Sequence, residues 1–244
     1  MGGVYRRAPM DAARMTLDHV WPLFALRVRT ERLVLRLPDD HDLAALCGVA
    51  RAGIHDPDEL PFKTPWSTFP SPQFERNFVT HHWGGRASWK PEDWGLHLLV
   101  ELDGEPIGSQ SVMAKRFAAL RTVNTGSWLG RPFHGLGYGK EMRAGVLGFA
   151  FDGLAARVAQ TEAYLDNGPS NGVTRSLGYE ENGIGEFAPG GVPRTIQHFR
   201  MTAEMWRSRP RPTVTIEGLE GCFDLFGAEA VETEAPAIEL PPPA

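Results

Sequence analysis

Apolar and polar positions alternate through much of this chain, and glycine and proline cut the alternation into short elements. Leu26–Leu37 reads as a pair of strands, and Asp40–Ala52 as a helix. Residues 53–72 hold Pro57, Pro61, Pro65, Pro70 and Pro72, which forbid regular structure; Gln73–Arg86 returns to a helix. Three alternating strands follow: Trp94–Leu102, Glu105–Arg116 across an Asp103-Gly104 turn, and Arg121–Leu129. The pattern then predicts a helix over Gly137–Asp152, a strand over Arg157–Leu165 and a helix over Pro169–Ser176. Strands Tyr179–Phe187 and Thr195–Thr202 close the core, and no internal repeat is found. Hairpins first and a strand–helix–strand crossing later predict an α/β fold with a mixed, mostly antiparallel sheet.

The most informative segment is Trp128-Leu-Gly-Arg-Pro-Phe-His-Gly-Leu-Gly-Tyr-Gly-Lys140, where a strand ends, a glycine-dense turn follows and a helix begins. That arrangement presents unpaired N–H groups and the positive end of a helix dipole to an anion. Gly135, Gly137 and Gly139 let the main chain approach the anion closely. A dinucleotide loop would need glycine three residues after Gly137, where Lys140 stands. A P-loop would need glycine at 134 and Ser or Thr at 141, where His and Glu stand. Downstream, Asn167 can cap a helix, with Pro169 in its first turn and Gly178 just past its end.

Composition narrows the class. At 244 residues and 42% hydrophobic content, one domain of roughly 180 residues plus tails is expected. No apolar run approaches the ~18 residues of a membrane span, and Met-Gly-Gly-Val-Tyr-Arg-Arg lacks the apolar stretch of a signal peptide. Cys47 and Cys222 are too few for a disulfide framework or a zinc site, so a cytoplasmic protein without a metal is expected. Residues 217–244 carry seven acidic groups and no lysine or arginine, leaving 25 basic against 23 acidic groups elsewhere. A nucleic-acid surface would want a strongly basic domain, and the end of the acidic segment reads as a solvated, disordered tail.

The glycine loop resembles the [QR]-x-x-G-x-[GA] acyl-CoA loop of the GCN5-related N-acetyltransferase (GNAT) superfamily, as His134-Gly-Leu-Gly137-Tyr-Gly139, with His in the first position. Asn167, Ser170, Gly178 and Tyr179 match the N-x-x-S-x-x-x-x-x-x-x-G-[FY] block that the superfamily places after the loop. Thr30-Glu-Arg-Leu-Val-Leu-Arg36 is similar to the opening strand of its Rim-type, ribosomal-protein-alanine branch. The resemblance spans about residues 24–206, with 1–23 as an arm and 207–244 as an extension.

The resemblance implies a V-shaped splay between the strands before and after the helix Gly137–Asp152. The pantetheine arm would lie in it, against Trp128, Leu129 and Gly130, with the pyrophosphate on His134, Gly135, Leu136, Gly137, Tyr138, Gly139 and Lys140. The arm and thiol would then meet Asn167 and Ser170. Arg131, Lys140, Arg143 and Arg175 are candidates for the adenosine phosphates, with a solvated surface charge the favoured reading for each. It implies an acyl-CoA-dependent N-acyltransferase in which an amine attacks the thioester directly. The donor is acetyl-CoA or another acyl-CoA such as succinyl-CoA, with Ser170 giving a proton to the thiolate and an N–H near Leu129 meeting the oxyanion.

Glu162 is the base candidate beside the thioester; His97, Glu186, His198 or a water are rivals, and His81-His82 reads as helix surface. The acceptor, a small-molecule amine or a protein N-terminus or lysine, would lie between loops 55–72 and 183–194. In the first loop Asp56, Asp58, Glu59, Phe62, Trp66 and Phe69 either receive an ammonium or simply pack. A homodimer through the last strands or the Trp206–Phe226 extension is compatible with the superfamily. A non-catalytic CoA-binding or sensing module, or an ATP- or NAD-binding enzyme, remain the alternatives.

Overall fold

A computed structural model describes residues 15–229. The start of the expected N-terminal arm and the end of the acidic tail lie outside the described residues. Nine strands form one sheet: β1 (Arg27–Arg29), β2 (Leu33–Arg36), β3 (Asp93–Leu102), β4 (Glu105–Lys115), β5 (Thr122–Leu129), β6 (Val158–Tyr164), β7 (Glu180–Phe187), β8 (Arg194–Thr202) and β9 (Thr215–Glu217). Their order is β7-β8-β6-β5-β4-β3-β2-β1-β9. Every neighbouring pair is antiparallel except β5 and β6, which run parallel. A parallel pair needs a crossover, and α5 (Tyr138–Gly148) supplies it. Shorter helices are α1 (Leu17–Val20), α4 (Phe117–Leu120), α6 (Gly168–Ser176), α7 (Ala203–Arg207) and α8 (Phe223–Phe226).

Two layers of helix sandwich the sheet. Trp94, Leu96, Leu98 and Val100 of β3 join the main core with α5, while Leu99 joins a second core under α2 (Asp40–Ala52) and α3 (Gln73–Ala87). That is the two-residue period of a strand buried on both faces. Helix α2 starts on a capping box, with Asp39 accepting from the Asp42 N–H and Asp42 accepting from the Asp39 N–H. Leu43, Leu46, Cys47 and Ala50 form its buried stripe. The expected helix Gly137–Asp152 is α-helical to Gly148 and continues as a π-turn over Phe149–Gly153. The Asp103-Gly104 turn closes the β3–β4 hairpin with both residues at positive φ, 52° and 85°.

The core does not end at β8. β9 pairs with β1, and Val214 and Ile216 lie where side chains on Gly148 and Gly153 would stand, at 2.9 Å from each virtual Cβ. Phe226 of α8 is fully buried, with its ring 4.9 Å from that of Trp94. Burying such a ring is worth roughly 2–3 kcal/mol, which holds a helix too short to stand alone.

Candidate active site

The loop after β5 is built as an anion cradle. Gly135 and Gly137 take left-handed φ values of 73° and 86°. Among the described residues, none of the N–H groups of residues 135–139 bonds to a carbonyl. Five consecutive donors at the start of an eleven-residue helix are therefore without a backbone partner among the described residues. The β1–β2 turn braces them from behind. Thr30 Oγ1 and the Arg32 N–H both donate to Glu141 Oε1, at 2.7 and 2.8 Å; Arg32 Nε donates to Oε2 at 2.7 Å. The Arg32 guanidinium also lies 4.4 Å from the Tyr138 ring centre. Burial alone would raise the Glu141 carboxyl, but these hydrogen bonds more than offset it and hold the group below its ordinary range. Lys140 is exposed at the cradle's edge.

The strands beside the cradle part company. β5 and β6 pair only at Thr122–Val158, Val123–Ala159 and Asn124–Gln160; beyond that rung the two strands share no backbone ladder. Gly108 of β4 sits so close that a Cβ there would clash with the Trp128 carbonyl oxygen. That carbonyl thus faces β4, and the Leu129 N–H on the same peptide points the other way, into the gap. The Gly130 N–H returns to Ile107 O at 2.9 Å, so the expected Gly130 amide contact is already taken by β4. His134 is taken as well: its Nε2 donates to Leu129 O at 2.9 Å.

Arg143 is neither a surface charge nor a phosphate contact on the rim. It is 4% exposed beneath the gap, donating to Ser127 Oγ of β5 at 3.0 Å and to Thr161 Oγ1 of β6 at 3.2 Å. Thr161 in turn donates to Thr125 O at 3.0 Å, so one guanidinium and one hydroxyl bridge the strands where their ladder stops. Burial pushes the guanidinium's pKa down, its Nε has no partner, and no carboxylate among the described residues pairs with it. Arg131 is paired with Asp56 at 2.8 Å and Arg175 with Glu181 at 2.9 Å. Among the four expected cations, Lys140 alone is both exposed and without a described carboxylate partner.

Helix α6 follows β6 at the mouth of the gap. Asn167 Oδ1 accepts from the Ser170 N–H at 3.1 Å, and Gly178 closes the end at φ 90°. The Ser170 hydroxyl is part-exposed and has no protein partner among the described residues. Val173, one turn on, lies 3.8 Å from a virtual Cβ on Gly139. The Asn-Ser block and the glycine cradle therefore meet.

On the opposite face of the sheet, Glu162 stands two residues beyond the last paired rung of β6 with β5, opposite His198 of β8. Glu162 Oε2 lies 3.3 Å from His198 Nδ1, and the Lys63 ammonium contacts Glu162 Oε1. The other base candidates sit elsewhere. Glu186 accepts from Thr195 Oγ1 at 2.8 Å. His97 bonds Ser111 at 2.8 Å under α3, where burial and the nearby His81 lower its pKa to about 4. His82 is buried rather than on the helix surface; burial, with the neighbouring cations, takes it down to about 3. In the loop 53–72, Phe62, Trp66 and Phe69 pack on the second core, Trp66 lying 5.9 Å from the ring of Trp128. These aromatics are partly buried and pack on one another and on α3. Lys63, Arg32, Ser127 and Thr161 are residues near the gap that the sequence reading did not single out, and it named Arg143 without its bridging place. For Arg32 the Thr-Glu-Arg motif itself was the signal.

Residues 32–180 match the family model of the GNAT acetyltransferase domain. Solved structures share the fold at low identity. One is RimJ of Mycobacterium smegmatis in complex with CoA-disulfide: 21% identical, covering 85% of this chain and 95% of that one, TM-score 0.60. A second is RimL, a ribosomal L7/L12 alpha-N-protein acetyltransferase in complex with coenzyme A: 15%, 71% and 95%, TM-score 0.55. A third is a GNAT-family acetyltransferase from Bacillus anthracis: 19%, 73% and 99%, TM-score 0.58. Among the described residues no helix is long and apolar enough to cross a membrane, and no cluster of His, Cys, Asp or Glu suits a metal ion.

Proposed function

This chain belongs to the GNAT acetyltransferase family, and on that premise we propose that it moves an acyl group, acetyl first, from CoA to a primary amine. The observation that carries the donor half is the run of five N–H groups without a described backbone partner over residues 135–139, beside the Leu129 N–H in an unzipped strand gap. A pyrophosphate suits the first, and an extended amide-bearing arm suits the second. Acyl-CoA supplies the activated thioester. Tyr138, Gly139 and Lys140 then hold phosphate, the Leu129 N–H holds the developing oxyanion, and the Ser170 hydroxyl protonates the sulfur. Glu162, with His198 behind it, takes the proton from the attacking ammonium.

The acceptor we infer is the free amino group of a polypeptide, as in the Rim-type resemblance. Support comes from the Glu162 carboxylate lying on the exposed sheet face, under the loop 53–72, two residues beyond the last paired rung. The test is thiol release from acetyl-CoA in the presence of peptides with a free or a blocked N-terminus. Release that needs the free amine supports the reading; no release with any amine, CoA being bound, sinks it.

A second donor is favoured by one residue. A buried guanidinium without a described carboxylate partner, as Arg143 is, suits an acyl chain ending in a carboxylate, such as succinyl. Higher kcat/KM for succinyl-CoA than for acetyl-CoA, lost in Arg143→Met, would decide for it.

A further inference from the structure

The cation that meets Glu162 belongs to the protein itself. This chain has 25 lysines and arginines, and only Lys63, Lys90, Lys115 and Lys140 are lysines. Lys115 pairs with Asp93 at 3.4 Å, and Lys90 lies in the turn before β3. Lys140 stands at the donor loop. Lys63 alone reaches the acceptor face, with its ammonium against Glu162 Oε1 and 5.4 Å from the centre of the Phe187 ring.

Its backbone is held there from both sides. Arg194 donates to Leu60 O and to both oxygens of Asp166 (2.8 and 2.9 Å), with its guanidinium 3.7 Å from the Tyr164 ring centre. Phe62 and Trp66 pack with tilted rings 5.2 Å apart on the second core. Yet the Lys63 and Glu162 side chains remain 41% and 38% exposed. An ion pair so exposed adds little to stability, so folding alone does not explain a primary amine delivered to this carboxylate.

We propose that Lys63 is a self-acylation site, modified by this chain's own acyl-CoA because its amine sits on Glu162, two residues beyond the last paired rung of the β5–β6 gap; this rests on the acyltransferase reading above. Glu162 takes a proton from the Lys63 ammonium, and the free Nζ attacks the thioester carbonyl carbon. A C–N bond forms, the C–S bond breaks, the nitrogen's second proton passes to the thiolate, which leaves as CoA-SH, and Glu162 releases the first proton to water. The products are one amide and one thiol, and no further reactant is needed. The neutral amide no longer pairs with Glu162, which leaves the carboxylate open to an external ammonium.

The experiment is peptide mass spectrometry of the full chain after incubation with acetyl-CoA and no acceptor. Lys63 should gain one acetyl group at least tenfold faster than Lys90 and Lys115, at a rate independent of protein concentration. Glu162→Gln should bring Lys63 down to the level of those two, and so should unfolding the wild-type chain in urea, a control that does not depend on the variant folding. Lys63 labelling no faster than that of Lys90 and Lys115, or unchanged in urea, overturns the inference. Calorimetry with CoA runs in parallel: CoA bound while Lys63 stays unmodified removes this inference alone, whereas no CoA binding removes the proposed function with it.

Discussion

The imidazole of His134 reaches back to the strand it has just left, bonding Leu129 O at 2.9 Å. The residue that departs from the superfamily's loop pattern thus ties the loop to the end of β5. His134→Ala should weaken CoA binding by about 1 kcal/mol, or roughly fivefold, by loosening the cradle. Isothermal titration calorimetry reads this directly; an unchanged affinity would show that the hydrogen bond does not set the cradle.

Gly137 holds φ 86°, and a Cβ there would stand 3.4 Å from Arg32 Nη2. Gly137→Val forces a left-handed β-branched residue, at a cost on the order of 1–2 kcal/mol, or makes the loop re-aim its N–H groups. Either way CoA affinity should fall at least tenfold. Gly168→Ala, at a position with open space, should leave the melting temperature within about 2 °C of wild type.

Glu162→Gln keeps the shape of the side chain and removes the base. If the carboxylate takes the ammonium proton, kcat falls by about 10²–10⁴ while CoA affinity is unchanged. Loss of affinity with kcat preserved would place Glu162 in binding instead.

Acid should unfold this protein through two histidines. Burial depresses His97 to about 4 and His82 to about 3, against an ordinary value of 6.5. Below that ordinary value the unfolded chain binds protons the folded one refuses. Stability from these groups is therefore intact above pH 6.5 and lost as pH falls through about 4 and then 3. The lowered Glu141 carboxyl acts in the same direction at lower pH. Urea midpoints between pH 7 and 4 should fall, and His82→Gln should flatten the slope; a flat wild-type profile would contradict this.

The glycine loop and the Asn167 cap were legible because both are local features of the chain. Glycines, a strand end and a helix start are neighbours in the chain, and so are Asn167, Pro169 and Ser170. The acceptor side was not. Which face of a helix Arg143 occupies depends on the sheet it meets, and a charged residue reads as surface by default. Lys63 meets Glu162 only because Arg194 and the second core position a proline-rich loop with no periodicity of its own. β9 was hidden for a simpler reason: three residues cannot display alternation, and its place is marked only by what Gly148 and Gly153 lack.

The central claim is that residues 135–139 cradle the pyrophosphate of CoA. Its most direct test is the melting temperature of the wild-type chain and of Gly137→Val with CoA, ATP or NAD at millimolar concentration. CoA at a hundred times its Kd stabilises by about 2.7 kcal/mol, or roughly 5–10 °C. The wild type should shift with CoA alone, and the variant should lose most of that shift. No shift with CoA, an equal shift with ATP or NAD, or an undiminished shift in Gly137→Val would contradict it.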